Sequence, residues 1–504
     1  MSALQQRLRV GIGRAQSGDR RRSWQAFGAK AGSVGLLLCL VATLTTFSGW
    51  LGLVLVGLTT LLLAFDRRLG PIPAAMLVML AIPVGRGAEV GLATITDIPI
   101  RPHDVAALVG VGLVLPGAVA AAVRRPASLI TPATVPFTVF LLVGLGALVV
   151  GVLDGNELRD IVRDTRWWSL YAVGLLALLT RTPPAALTRA LIWGMTLYAV
   201  VIMIGMLLPG FPGGLKLGAY FYDERMRLHY GQAIFLLPLA AYAVTRAFRR
   251  PIPWVAVLGL AAAAVSITLT RALIVTFIGV VLLALVWSVV RARRGDHDNG
   301  IGSAIRRLGP RIAMLTLAVV IGLAGGVGVY SAGIRIWNGM ESGAGIGPSS
   351  DRPAVDASSR LTGREGTDLA SQGVGRLPSY ARAFVQTSHS PLLGNGMGQL
   401  TFVNWVRGEF AGHTRNAQPG VDNAYLTAGI KAGAAGIAAI TLLLLWPLRR
   451  FLAVPRRRMW AWYMPAWLGI LGLSLIESFA VSGYAPFTLS ALIALPLLRF
   501  RPTS

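Results

Sequence analysis

The sequence predicts an all-α polytopic membrane protein with about 12–14 transmembrane helices. Of its 504 residues, 54% are hydrophobic and only 13% are charged, and the mean hydropathy is +0.64. Soluble domains carry roughly 25% charged residues. Apolar runs recur along the chain, and most are long enough to cross about 30 Å of hydrocarbon. They lack the alternation in segments of about ten residues that is typical of a membrane β-barrel.

The apolar runs also predict how the chain is organised. A basic cytoplasmic tail covers residues 1–30, and transmembrane helices follow over 31–332. A large extracytoplasmic loop is expected over 333–421, before C-terminal transmembrane helices over 422–500. The individual spans are expected at 33–48, 51–65, 70–84, 104–123, 134–153, 166–180, 185–209, 231–248, 252–269, 272–290, 312–332, 422–446, 459–477 and 482–498.

The net charge of +26 is explained by orientation in the membrane. Cytoplasmic loops of membrane proteins collect Lys and Arg, and here every second connection between spans is rich in arginine while the others carry mixed charges. One topology satisfies all the clusters and places both termini in the cytoplasm. The basic clusters are Arg67–Arg68, Arg124–Arg125, Arg181, Arg246–Arg250, Arg291–Arg311, Arg449–Arg458 and Arg499–Arg501.

The sequence lacks the motifs of several common site classes. Cys39 is the only cysteine, which excludes an intrachain disulfide and argues against a thiolate metal site. The phosphate-binding loop of ATPases, the H-E-x-x-H zinc motif and the nucleophile elbow are missing from the sequence. An ATP-driven pump is therefore not expected.

Arginines at the predicted extracytoplasmic face indicate a site for an anion. Arg225 and Arg227 lie in the stretch YFYDERMRLHY before a predicted span, and Arg271 lies between two spans. An arginine at that depth requires a polar cavity or an anion, and its fork fits phosphate oxygens. The favoured ligand is a lipid-linked phosphate or pyrophosphate. The alternative is an arginine that extends to lipid headgroups.

A second feature of this face is the segment SPLLGNGMGQL at Ser390–Leu400. Gly394, Gly396 and Gly398 leave its backbone bare, so it can approach a ligand or a helix where side chains would collide. Beside an arginine-lined cavity, its amides can bind phosphate or sugar oxygens. A plain turn is the alternative interpretation.

The stretch before this segment predicts an amphipathic helix over 376–388. Leu377, Tyr380, Ala381, Phe384 and Val385 fall at helical spacing on one face. A helix this short is suited to lie at the outer membrane surface or to cap the bundle.

The stretch DNAYLTAGIKAGAAG opens the next predicted span at Asp422. As an N-cap, Asp422 would accept backbone N–H bonds in the first helical turn. Gly429 and Gly433 have the spacing of a close helix–helix contact.

The order of these motifs resembles the O-antigen ligase and O-antigen polymerase superfamily over about residues 215–445. Arg271 in LTLTRALIV matches the arginine with which a helix of that family begins. The other matching residues are Arg376, Tyr380, Ala383, the run P-L-L-G-N-G-M-G at 391–398, Asp422, Asn423, Leu426, Gly433 and Gly436.

The resemblance implies a glycosyltransferase-C-like enzyme of the bacterial plasma membrane. Such enzymes transfer or polymerise a glycan from an undecaprenyl-pyrophosphate carrier onto an acceptor hydroxyl at the outer face, in polysaccharide biosynthesis for the cell envelope. Ligases use a lipid-anchored acceptor and polymerases use another carrier-linked repeat unit, and both possibilities stay open. The implied partners are a polyprenyl-pyrophosphate-linked glycan donor, a lipid- or glycan-linked acceptor and membrane lipids, with no nucleic acid, metal or nucleotide sugar.

The resemblance also implies roles for individual residues. Arg225, Arg227, Arg271 and Arg376 would bind the donor with Gly394, Gly396, Gly398 and Asn423. Family ligases typically carry His at the position of Asp422, so the base that takes the acceptor proton is Asp422, His413 or His389.

A transporter of lipid-linked glycans is the competing function. It would be expected to carry charges deep in several helices and repeated halves with broken helices. Few charges fall in the middle of the predicted spans, and the large outer loop favours an enzyme.

Overall fold

A computed structural model of the protein describes residues 33–36, 50–66, 68–82, 94–95, 98–207, 221–222, 227–228, 231–295, 301–343, 376–403, 416–418, 420–453, 459–477, 479–481 and 485–498. The predicted N-terminal tail at 1–30, Cys39, Arg225 and His413 lie outside the described residues.

The described part of the chain is mostly helical. In chain order the helices are α1 (Trp50–Ala64), α2 (Pro71–Ala81), α3 (Pro102–Arg124), α4 (Val135–Leu153), α5 (Leu158–Ser169), α6 (Ala172–Leu179), α7 (Pro184–Leu207), α8 (Leu236–Ala247), α9 (Pro251–Ile267), α10 (Arg271–Gly295), α11 (Ile301–Gly343), α12 (Arg376–His389), α13 (Ala424–Ala453), α14 (Trp460–Ser474) and α15 (Ala485–Ala494). Short 3₁₀ helices cover Pro126–Ile130 and Gly231–Phe235.

Three short antiparallel strand pairs lie in the connections. They are β1 (Thr94–Ile95) with β2 (Ile98–Pro99), β3 (Phe221–Tyr222) with β4 (Arg227–Leu228), and β5 (Thr401–Val403) with β6 (Asn416–Gln418).

Six of the described helices are long and apolar enough to cross a membrane, which confirms a helical multi-pass membrane protein. These segments are Pro102–Arg124, Val135–Leu153, Pro184–Leu207, Arg271–Val290, Gly309–Gly333 and Ala424–Ala453. Shorter apolar helices, among them α2, α8 and α9, fill the bundle between them.

Local sequence explains where many helices begin. Pro71, Pro102, Pro136, Pro184 and Pro251 lie in the first turns of five helices. Proline is favoured there because its fixed φ suits the helix and its missing N–H would have had no partner in the helix.

One predicted boundary was wrong. The span expected at 166–180 is divided between α5, which is strongly charged, and α6, which is apolar. The span expected at 312–332 agrees with the apolar segment Gly309–Gly333, and helical backbone continues beyond it, within α11, to Gly343. Apolar content located the segments, but it did not show where helical backbone continues into polar sequence.

The helices pack around close glycine contacts. Gly326 of α11 lies so close to α9 that a Cβ there would overlap Ser266 and the Ala263 carbonyl. Gly469 of α14 is similarly close to α10, where a Cβ would lie 3.1 Å from Thr276 and 2.5 Å from Val280. Small residues that let backbones approach are typical of helix packing in membranes.

Contacts between helix ends define two ends of the bundle. At the end named here the arginine end, Arg311 donates to the Phe248 carbonyl at 2.8 Å, and the indole of Trp446 donates to the Pro132 carbonyl at 2.8 Å. At the opposite end, named the loop end, the start of α3 meets Gln232, and the start of α13 meets the end of α14.

Candidate functional site

A buried lysine lies near the loop end of α13. Lys431 Nζ is 2.5 Å from Asp164 Oδ2 on α5, and the two side chains are 2% and 3% exposed. Lys431 also donates to the Gln399 carbonyl, and the Gly398 amide donates to Asp164 Oδ2 at 2.9 Å. A buried charge is tolerated only when it is paired and hydrogen-bonded. This pair therefore fixes α5, α13 and the glycine segment to one another.

Other side chains of α5 join this pair to form a charged cluster, in which Asp160 and Trp167 are buried. Arg163 Nη1 is 2.5 Å from Asp160 Oδ1, and Arg163 Nε is 3.4 Å from Asp164 Oδ1. The Arg163 guanidinium lies 5.7 Å from the ring centroid of Trp167, within the range of a cation–π contact. These residues meet because positions three or four apart share one side of a helix.

Two hydrogen-bond donors in this charged cluster lack a partner among the described residues. They are Arg163 Nη2 and the indole nitrogen of Trp167, and both atoms are buried. A buried donor without a partner is uncommon in proteins and calls for an explanation such as a ligand or an ordered water.

The glycine segment contacts two helices with its bare backbone. Gly394, Gly396 and Gly398 have φ of 71°, 78° and 86°, a region that glycine adopts readily. A Cβ at Gly394 would overlap the amide of Ala432 in α13, and a Cβ at Gly396 would overlap the backbone of Gly151 in α4. The predicted close approach to a helix is confirmed.

The expectation that these amides bind phosphate or sugar oxygens is wrong, because each amide from Gly394 to Gly398 already donates a hydrogen bond to an acceptor within the protein. The donor–acceptor pairs are Gly394 to the Ser390 carbonyl, Asn395 to Ile430, Gly396 to Lys431, Met397 to Ala147, and Gly398 to the Asp164 carboxylate. The role of the three glycines is thus structural in this arrangement.

A break in α13 explains why the segment fits there. Ala432 and Gly433 leave helical geometry, with φ of −136° and 60°. The carbonyls of Ile430 and Lys431 are satisfied by the glycine segment, and the Ala434 amide donates to the Pro391 carbonyl at 2.8 Å. Gly433, expected to pack one helix against another, instead marks this break.

Asn423, and not Asp422, caps α13. Its Oδ1 accepts the amides of Tyr425 and Leu426 at 2.9 Å each, and its Nδ2 donates to the Leu475 carbonyl at 2.7 Å. The predicted N-cap role of Asp422 is therefore wrong, since the helix begins one residue later than expected. The structure gives Asn423 a structural role, while the Asp422 backbone carbonyl accepts the Tyr380 hydroxyl.

Arg271 begins α10 and is exposed. The turn before it contains Leu269 with φ of 48°, a conformation that costs a non-glycine residue roughly 1–2 kcal/mol. Since Thr276 of α10 packs against Gly469 of α14, the start of α10 and the end of α14 lie at the same end of the bundle. Asn423 contacts that end of α14 at Leu475, so Arg271 and Asp422 share the loop end.

The structure places the other predicted residues only in part. Arg227 lies in β4 opposite Tyr222, and Arg376 is the first residue of α12, but their side chains are outside the described part. His389 ends α12 and is exposed.

The amphipathic helix predicted over 376–388 is confirmed as α12. Ala383 and Tyr380 pack against Ile430 of α13, while Phe384 and Val385 are exposed. The predicted apolar face is therefore divided between the bundle and the outer side of the helix.

Sequence reasoning missed Lys431, Asp164 and Arg163. A signal was present in the sequence, because a lysine inside an apolar run requires a buried carboxylate, and the repeated pattern RDIVRDTR supplies one. Among the described residues, no cluster of three His, Cys, Asp or Glu side chains is placed to hold a metal ion.

No protein-family model matches this sequence, and no curated protein matches it.

Proposed function

We propose that the protein is a membrane glycosyltransferase that takes a glycan from a polyprenyl-pyrophosphate carrier, as O-antigen ligases and polymerases do. The observation that carries the proposal is the exposed position of Arg271 at the loop end, which it shares with Asp422. The transfer requires a cation to stabilise the leaving group and a base to remove a proton from the acceptor. Arg271 and Asp422 supply these two groups at one end of the bundle.

Arg271 would bind the leaving group. The acceptor oxygen forms a bond to the anomeric carbon while the bond from that carbon to the pyrophosphate oxygen breaks. Negative charge then develops on the lipid pyrophosphate, and a guanidinium placed there beforehand stabilises it. The start of α10 adds the positive end of a helix dipole at the same place.

Asp422 would take the proton from the acceptor hydroxyl. Its place at the loop end is fixed by the Asp422 backbone carbonyl, which accepts the Tyr380 hydroxyl. His389 is a less favoured base, since it lies at the far end of α12 from the contact between Tyr380 and Asp422.

Arg163 and Trp167 would extend the site toward the sugar. Their buried donors lack partners among the described residues, and hydroxyl or phosphate oxygens are suitable acceptors. A glycosyltransferase-C-like fold belongs to this proposal, as do both the ligase and the polymerase form of the reaction.

Reconstitution in lipid vesicles tests the proposal. The protein is given an undecaprenyl-pyrophosphate-linked glycan with either a lipid-anchored glycan or a second carrier-linked unit as acceptor. Arg271→Ala and Asp422→Asn are each expected to lower transfer by roughly 100-fold. Arg250→Ala, at the arginine end, and Asp154→Asn, at the loop end, are the matched controls and should transfer normally. Equal activity in all four variants would remove Arg271 and Asp422 from the site.

Transport of lipid-linked glycans is the second candidate, and the break in α13 favours it. The buried Lys431–Asp164 pair lies directly beside Ala432 and Gly433, and transporters commonly combine charges within the membrane with interrupted helices. In the same vesicles, movement of a labelled donor across the bilayer without transfer to either acceptor would identify a transporter.

A further inference from the structure

The path of α12 and the glycine segment along α13 differs from that of a surface loop. Tyr380 contacts the Asp422 carbonyl, Thr387 lies beside Gly429, and Pro391 accepts the Ala434 amide. The residue numbers of the contacts increase together in the two segments. The α12 helix therefore runs parallel to α13, from the loop end into the bundle.

The chain then turns and returns to the loop end. Met397 donates to the Ala147 carbonyl within α4 at 2.8 Å, and Asn156, just beyond the end of α4, donates to the carbonyls of Asn395 and Met397. A Cβ at Gly398 would lie 2.7 Å from Ile161 of α5. Residues 376–400 therefore form a hairpin, named here the re-entrant hairpin.

The depth of this hairpin follows from the length of α13. Its lowest contact is the Ala435 amide, which donates to the Leu392 carbonyl at 3.4 Å. Ala435 is 14 residues before Arg449, which corresponds to about 21 Å of helix. Arg449 lies over the ring of Trp446, 4.8 Å from its centroid, as arginine and tryptophan do at a membrane interface. The hydrocarbon layer is about 30 Å thick, so the tip of the hairpin lies within it.

The amides of the glycine segment satisfy the condition for entering that layer. Non-helical backbone at membrane depth is tolerated only where protein or water satisfies its polar groups. The amides of Gly394 to Gly398 all have protein acceptors, and the carbonyls of Gln399 and Leu400 accept from Lys431 and Gln386.

Large apolar side chains cover the outer side of the hairpin. Leu392 is 73% exposed and Leu393 is 62% exposed at the tip, and Phe384 and Val385 are exposed above them. Leu145 of α4, the helix that the glycine segment contacts, is also exposed.

We propose that residues 376–400 insert into the bilayer as a re-entrant hairpin whose tip, Leu392 and Leu393, contacts lipid acyl chains. The polar residues on the exposed side of α12, Arg382 and His389, lie more than a third of a turn from Phe384, and Val385 lies between them and Phe384. One edge of the hairpin thus faces lipid, and the proposal does not depend on the enzymatic function.

Fluorescence quenching tests the insertion. In a Cys39→Ser background, Leu393→Cys is labelled with an environment-sensitive fluorophore and reconstituted in phosphatidylcholine vesicles. Two quenchers are compared: lipids with a spin label on the acyl chain, and iodide in the water. Leu145→Cys on α4 is the lipid control, and Glu157→Cys, exposed before α5, is the water control.

We expect Leu393→Cys to be quenched by the acyl-chain label as strongly as Leu145→Cys and to lose iodide quenching. Quenching by iodide at the level of Glu157→Cys, or equal quenching by both reagents, would overturn the insertion. Because position 393 is exposed, the substitution should leave the fold intact, and Leu392→Cys repeats the measurement if it does not.

Discussion

Positive charge occurs at both ends of the bundle, but its surroundings differ. At the arginine end, Arg311 donates to a backbone carbonyl and Arg449 lies over an aromatic ring. At the loop end, Lys431, Arg163 and Arg166 are paired with carboxylates. Among the described residues, every ion pair lies at the loop end.

This difference separates two uses of charge. Cations with only carbonyls and rings around them hold a helix end at an interface, where water and headgroups supply the counter-charge. Cations with buried carboxylates fix the relative position of chain segments, because each charge becomes costly when its partner is removed. The comparison predicts that substitutions at the loop end have large effects and substitutions at the arginine end have small ones.

The largest effect is expected at the buried pair. Lys431→Met removes the nearest cation from the buried Asp164, which keeps only Arg163 Nε at 3.4 Å and the Gly398 amide. This should destabilise the protein by about 3–5 kcal/mol. Thermal unfolding in detergent, followed by the loss of monodisperse protein, measures the change. The double variant Lys431→Met with Asp164→Leu removes both charges and should recover most of the stability. If the single and double variants lose the same amount of stability, the charge left on Asp164 is not the cause of the loss.

The second largest loss of stability is expected in the glycine segment. Gly396→Ala places a non-glycine residue at φ of 78°, which costs roughly 1–2 kcal/mol before the overlap with Gly151 is added. Gly146→Ala on α4, where a Cβ meets nothing within 4 Å, is the matched control. Thermal unfolding under the same conditions should show a clear loss of stability for Gly396→Ala and little change for Gly146→Ala.

A smaller effect is expected at the cap of α13. Asn423→Ala removes the acceptor of two amides, which costs about 1 kcal/mol. Asn423→Ser keeps a capping oxygen but loses the bond to Leu475, so the difference between the two variants isolates the cap. If Asn423→Ala has no effect on the unfolding midpoint, another residue caps the helix.

The smallest effect is expected at the arginine end. Arg250→Ala removes an exposed cation that forms no ion pair with a described carboxylate, so stability should change by no more than about 0.5 kcal/mol. A loss comparable to that of Lys431→Met would contradict the distinction between the two ends.

The sequence predicted the helical membrane class and most helix positions, because apolar length is a direct requirement of the bilayer. It also located α12 and the bare glycine segment, since period and glycine spacing are local properties. Helix ends were less predictable: the cap shifted from Asp422 to Asn423 by a single residue, which periodicity does not resolve.

The contacts of the glycine segment were not predictable in the same way. The partners of its amides come from Asp164 and Ala147 early in the chain and from Ile430 late in it. Nothing local in the glycine segment indicates these partners. The segment therefore resembled a ligand-binding loop until its neighbours were known. Lys431 was the one available clue, since a lysine in an apolar span requires a partner.

The separation of Lys431 from Asp164 in the chain has a consequence for biosynthesis. Asp164 emerges from the ribosome 267 residues before Lys431, a delay of roughly 15–50 s at ordinary rates of synthesis. During that interval Asp164 has Arg163 of its own helix as an ion-pair partner, but not Lys431, whose Nζ lies closer to it in the finished protein. We expect the early helices to close around Asp164 only after α13, in the last sixth of the chain, has been synthesised.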